Sequence, residues 1–186
     1  MGTLRERRQS LDFDRGWLVV KWDDCDEFTH GIRTAFHQLE GGVSGADGVG
    51  ARPGDGVGLI VEFKDYDHPD IPPSQRAAKA REAVSDKLVR LLVRKVIDTL
   101  CGATFSHDAA DRRSAALRSW QSTIGSDASE LLILFCIEVP RSQALAVLPW
   151  TKKLQQQLGW LGPRARVIVT SGDRPFAGAG VRYHVA

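Results

Sequence analysis

Glu62 and Lys64 stand two residues apart in the run Val57-Gly58-Leu59-Ile60-Val61-Glu62-Phe63-Lys64-Asp65-Tyr66, which is apolar until it ends in acid, aromatic, base and acid. Such a run predicts a buried strand of an α/β protein, and the polar end of that strand is where a sheet meets solvent and ligand. Strand side chains alternate, so Ile60, Glu62 and Lys64 share one face while Val61 and Phe63 share the other. A carboxylate and an ammonium therefore point the same way. Upstream, Ala46-Asp47-Gly48-Val49-Gly50-Ala51 reads as a short irregular strand, joined to the first by the turn Pro53-Gly54-Asp55-Gly56, which brings Asp47 beside Glu62.

Two carboxylates, a lysine and a basic helix immediately downstream suit magnesium-assisted cleavage of a phosphodiester. Mg²⁺ takes oxygen ligands in octahedral geometry and is held by one or two carboxylates, leaving positions for water and a phosphate. Asp47 and Glu62 would supply the carboxylates, and the Phe63 carbonyl lies between Glu62 and Lys64 within reach of the same ion. Lys64 would hold or deprotonate the attacking water and offset charge on the transition state. Taken alone, Glu62 and Lys64 also fit an exposed ion pair contributing about 0–1 kcal/mol.

The elements that must position these residues follow in order. Residues 1–15 are polar and basic at the start and read as a mobile arm or short capping segment. Trp17 to Trp22 predicts the first strand, with a turn at Asp23-Asp24. Asp26 caps a helix through Phe28, Ile32, Ala35, Phe36 and Leu39, ended by Gly41-Gly42. Eight glycines between Gly41 and Gly58 make most of that segment turn. A phosphate-cradling loop is disfavoured there, because GxxxxGK[ST] is absent and no helix follows.

After the Glu62 strand, Ser74 caps one long helix over 75–101, closed by Gly102, with Ala77, Ala80, Val84, Leu88, Leu91, Leu92 and Val96 as its buried stripe. Its basic residues, among them Lys79, Arg90, Arg94 and Lys95, offer a surface for a nucleic-acid backbone; a solvated helix face fits them equally well. A loop and short helix over 104–121 follow, where His107 and Asp108 lack partners at ligand spacing. Then come a central strand over 130–139, a helix over 143–158, and strands over 166–170 and 181–185. The whole is a single α/β unit over 1–186, a central mixed β-sheet flanked by helices.

Composition narrows the class. The chain has 186 residues, 42% hydrophobic and 26% charged, with a net charge of +2, so any grip on a polyanion must come from local clustering. Cys25, Cys101 and Cys136 are isolated, which argues against a disulfide framework or a zinc site and fits a reducing, cytoplasmic setting. No run approaches the roughly 18 continuous apolar residues of a membrane span, so no membrane partner is expected.

Hydrophobic-Glu-x-Lys at a strand end, preceded by Asp before a hairpin, resembles the PD-(D/E)XK nuclease superfamily. Lys21-Trp22-Asp23-Asp24, Glu62-Phe63-Lys64-Asp65-Tyr66, Lys95-Val96-Ile97-Asp98-Thr99-Leu100 and the strand ending near Glu138 and Pro140 resemble, over roughly residues 16–140, a family of small uncharacterised bacterial proteins within it. The resemblance implies a restriction-endonuclease-like core, Mg²⁺ or Mn²⁺ as cofactor, and nucleic acid, DNA first, as substrate in defence or DNA processing. It also implies pairing of subunits or a larger complex. Asp47, Glu62 and Lys64 carry over as the metal and catalytic positions, with Asp55 as the alternative first acid. A nuclease-like domain that only binds nucleic acid or protein is the rival reading.

Overall fold

The Glu62 strand runs from Val57 to Asp65 at the centre of a five-stranded mixed sheet, and its alternation decides what lies on each side. The computed structural model describes residues 2–25, 28, 29, 33, 42–105 and 115–186. In chain order the strands are β1 Gly2–Glu6, β2 Gln9–Phe13, β3 Leu18–Lys21, β4 Gly48–Arg52, β5 Val57–Asp65, β6 Glu130–Glu138, β7 Ala165–Thr170, β8 Ala177–Gly178 and β9 Val181–Val185. The described helices are α1 Pro73–Ala83, α2 Asp86–Phe105, α3 Ala115–Ile124 and α4 Trp150–Gln157. Among the described residues none is long and apolar enough to cross a membrane.

The main sheet has the order β3-β4-β5-β6-β7. Its first three strands are an antiparallel meander, whereas β5, β6 and β7 are parallel. Parallel neighbours need a long crossover, which the helices between β5 and β6 supply. On one face of β5, Ile60 joins Leu88, Leu92, Val96, Leu117 and Trp120 of the helices in one core cluster. On the other face, Val57, Leu59, Val61 and Phe63 join Leu4, Leu11, Phe13, Val181 and Tyr183 in a second.

That second cluster belongs to a four-stranded antiparallel sheet of order β1-β2-β9-β8. The expected α/β arrangement of a mixed sheet flanked by helices is present; the described helices cover one face of that sheet and a second, antiparallel sheet covers the other. Within residues 1–15, read as a mobile arm or a short capping segment, the structure has the β1–β2 hairpin. The charge of this segment hides an alternation in which Leu4, Gln9, Leu11 and Phe13 are buried while their neighbours face outward. Arg8 and Gln9 then fasten the hairpin to the end of β5, Arg8 through the Asp65 carboxylate and Gln9 through the Lys64 carbonyl.

The long helix expected over 75–101 is two. The break at Val84-Ser85 has a local cause: the Ser85 hydroxyl donates to the Glu82 carbonyl at 2.8 Å, ending α1, and the Leu88 N–H turns back to Ser85, starting α2. Gly102 does not close α2, which continues to Phe105. The helix expected over 143–158 is a 3₁₀ segment, Arg141–Val147, followed by the shorter α4. The helix expected between Asp26 and Gly41 falls largely outside the described residues, as do His107 and Asp108.

Glycine in β4 is a packing requirement. A Cβ on Gly48 would come within 2.5 Å of the Leu4 side chain and 3.0 Å of Val61, so this position lets the second sheet close over the first. The same tight seat fixes where the preceding residue, Asp47, enters the structure.

Candidate active site

Strand β4 begins at Gly48 opposite Val61, so β5 runs on past it and leaves an unpaired edge from Glu62 onward. Asp47 sits on this edge. Its own carbonyl accepts from Trp22 N–H at 2.9 Å, extending the β3–β4 pairing, and its Oδ2 accepts from Phe63 N–H at 2.5 Å. The N–H and C=O of one strand residue point to the same edge, so the Phe63 carbonyl faces this side as well. Glu62, 1% exposed, lies between two lysines. Lys64 Nζ is 2.5 Å from Glu62 Oε1, and Lys95 Nζ is 2.8 Å from Oε1 and 3.0 Å from Oε2. Lys95 Nζ is also 3.9 Å from Asp47 Oδ1.

Asp47, Glu62 and Lys64 therefore converge, while Asp55, the alternative first acid, is at the other end of β4, paired with Arg52. Burial and the Asp47 charge push the Glu62 carboxyl above its ordinary value, against the pull of the two ammoniums. For Lys64, burial disfavours the charge, but Glu62 outweighs it and holds the ammonium above its ordinary value. Asp23, on the turn after β3, is a further carboxyl close by. Burial first, then Asp47 and Asp24, push it up to about 6.

Helix α2 braces the site. Lys95, Asp98 and Thr99 lie at i, i+3 and i+4 on one face. Lys95 reaches Glu62, Asp98 accepts from Ser44 N–H at 2.9 Å, and Thr99 Oγ1 accepts from Ala46 N–H at 2.7 Å. The Lys95-Val96-Ile97-Asp98-Thr99-Leu100 pattern thus pins both the buried glutamate and the loop that delivers Asp47. Sequence reasoning put Lys95 on a nucleic-acid-facing surface, and the structure turns it inward, with its side chain 13% exposed. The signal was present: Leu88, Leu92, Lys95 and Thr99 continue the buried stripe at helical spacing.

A cleft of about 890 Å³ opens above these groups, between the β1–β2 hairpin, the loop after β5 and α1. Asp47, Phe63 and Lys64 line it, whereas Glu62 and Lys95 lie behind its wall. Its rim carries Glu6, Asp65, Asp70 and Glu82 against Arg7 and Lys79. Arg8 offsets the acidic loop, binding Asp65 through Nε at 2.7 Å and Nη2 at 3.0 Å and reaching Asp67 at 3.5 Å. A separate depression of about 690 Å³, between the start of β6, α4 and β7, has neither Asp47, Glu62 nor Lys64 in its wall.

The chain matches no known protein family, no curated protein and no solved structure. Its chemistry rests on its own geometry.

Of the other residues proposed to meet nucleic acid, Lys79 lines the cleft and is paired with Glu82 at 2.8 Å. Arg90 faces a different hollow with Lys153 and Gln156. Arg94 donates to the Gly42 carbonyl at 2.5 Å and lies 3.5 Å from Asp98. The structure does not gather these cations into one stripe. As for cation ligands, no group of three or more His, Cys, Asp or Glu side chains is present among the described residues. The oxygen donors that meet are Asp47 Oδ1 and the Glu62 carboxylate, hard ligands that share the Lys95 ammonium.

Proposed function

We propose that this chain hydrolyses phosphodiester bonds of nucleic acid, DNA first, with Mg²⁺ or Mn²⁺, on a restriction-endonuclease-like core of the PD-(D/E)XK kind. The observation that carries this reading is the meeting of Asp47, Glu62 and Lys64 at the end of β5, with Asp47 and Lys64 lining one cleft and Glu62 behind them. The antiparallel β3-β4-β5 meander, helical crossover and parallel β6 support such a core. Asp47, Glu62 and the Phe63 carbonyl would hold the cation, which when bound lowers the pKa of a water and offsets charge on the phosphate.

The chain's own residues then have distinct tasks. Phe63 N–H fixes one oxygen of Asp47 and leaves Oδ1 directed toward the site. Lys64 faces the cleft and stays charged, so it acts on a phosphate as a preorganised cation rather than as a base. Glu62, held from behind by Lys95, keeps Lys64 aimed. Lys79 and Arg7 on the rim meet the flanking backbone.

The test is cleavage of supercoiled plasmid, single-stranded DNA and RNA with Mg²⁺ or Mn²⁺, comparing wild type with Glu62→Gln and Lys64→Ala. Each substitution should lower the rate by roughly 10²–10³-fold. Activity that survives both would sink the mechanism. A second reading, a fold that binds nucleic acid without cutting it, draws on the pairing of the two carboxylates with Lys64 and Lys95. DNA binding with no cleavage of any substrate would establish that reading instead.

A further inference from the structure

We propose that Lys95 is an internal counter-ion that occupies the cation position of this site and yields it to a divalent ion. It thereby sets the metal concentration at which the site loads. The inference rests on the metal-site reading above.

The position of the ammonium is the first argument. Lys95 Nζ contacts both oxygens of Glu62 and stands 3.9 Å from Asp47 Oδ1, so it bridges the two side chains that would ligate a metal. Metal–oxygen distances for Mg²⁺ are about 2.0–2.1 Å, so an ion on these oxygens would overlap the space and the charge of the ammonium. The two cations exclude each other. Lys64 contacts Glu62 Oε1 alone, from the cleft side, whereas Lys95 reaches both oxygens of Glu62 and Asp47 Oδ1 from α2, so Lys95 is the ammonium that bridges the two carboxylates.

The second argument is that the structure offers Lys95 somewhere to go. Asp23 follows Trp22, whose N–H is bonded to the Asp47 carbonyl at 2.9 Å, and its Oδ1 is buried without a hydrogen-bond partner among the described residues. A buried, unpaired carboxylate oxygen is costly and seeks a donor. The flexible four-carbon stem of lysine allows the ammonium to exchange Glu62 for Asp23 while α2 stays fixed through Asp98 and Thr99.

The experiment is a titration of the full chain with Mn²⁺, followed by electron paramagnetic resonance of the free ion and by the shift in Tm. The variants are wild type, Lys95→Met, Lys95→Gln, Lys95→Arg and Asp23→Asn. Without the competing charge, Lys95→Met should bind Mn²⁺ on the order of tenfold more tightly than wild type, and Mn²⁺ should raise its Tm further. Lys95→Gln keeps a donor for Glu62 and should show the same gain if the Met variant does not fold. Lys95→Arg should bind no more tightly than wild type, and Asp23→Asn should bind more weakly. Equal Mn²⁺ affinity in wild type and both neutral Lys95 variants would overturn the counter-ion role while leaving the metal site standing. No Mn²⁺ binding by any of the proteins would overturn the metal-site reading and this inference with it.

Discussion

Replacing Glu62 or Lys95 alone by Met should destabilise the protein far more than replacing both. Glu62 is 1% exposed and its oxygens lie 2.8 and 3.0 Å from Lys95 Nζ, so Glu62→Met strands the Lys95 ammonium and Lys95→Met leaves the buried Glu62 carboxylate with Lys64 in place of two ammoniums. Breaking a buried pair from one side costs about 3–5 kcal/mol, whereas exchanging both partners for apolar groups of similar volume is often close to neutral. In a chain of this length each kcal/mol lowers Tm by about 2–4 °C, so each single variant should lose roughly 6–20 °C. Lys64 loses its partner in both Glu62 variants, but its side chain reaches the cleft and can turn to water. Urea unfolding of wild type, Glu62→Met, Lys95→Met and the double variant, at constant m, gives the coupling directly. We expect about 2–4 kcal/mol. Single effects below about 1 kcal/mol, or additivity within about 0.5 kcal/mol, would refute the claim that these charges depend on each other.

Asp47→Ala should cost about 1–3 kcal/mol, because the Phe63 N–H loses its acceptor in a buried place; Asp47→Asn keeps an acceptor and should unfold near wild type while losing Mn²⁺ binding. Thr99→Val removes the acceptor for Ala46 N–H and should cost about 1–3 kcal/mol in urea unfolding, with the proposed nuclease activity falling as the Asp47 loop loosens. Asp23 sets a pH dependence: its folded value, about 6, lies above the ordinary 3.8, so its stabilising contribution is full below 3.8 and lost as pH rises through 6. Because the group is half exposed, the loss is about 1 kcal/mol, and Asp23→Asn should be more stable than wild type at pH 7 by that amount with a flatter Tm between pH 4 and 6.

What could be read from residue order was whatever depends on local periodicity. The alternation in Val57–Asp65 placed Glu62 and Lys64 on one face of the strand, and the turn at Pro53-Gly54-Asp55-Gly56 brought Asp47 beside the same strand end. Other features depend on contacts between distant segments. The β1–β2 hairpin is recognisable only once Gln9–Phe13 pairs with Val181–Val185, residues more than a hundred and sixty positions away. Lys95 looked like one more cation on a basic helix because the sequence does not show that Glu62 waits opposite it. The break at Ser85 is a hydroxyl competing with the helix backbone, an event that helical spacing of the apolar residues conceals.

The most direct test of the central claim, that Asp47, Glu62 and the Phe63 carbonyl form a divalent-cation site beside Lys64, is anomalous diffraction from crystals of the protein soaked in Mn²⁺. The account predicts one strong peak coordinated by these three groups, with the Lys95 ammonium displaced from Glu62. Lys95 still seated on Glu62 at saturating Mn²⁺, with no peak at the end of β5, would contradict it.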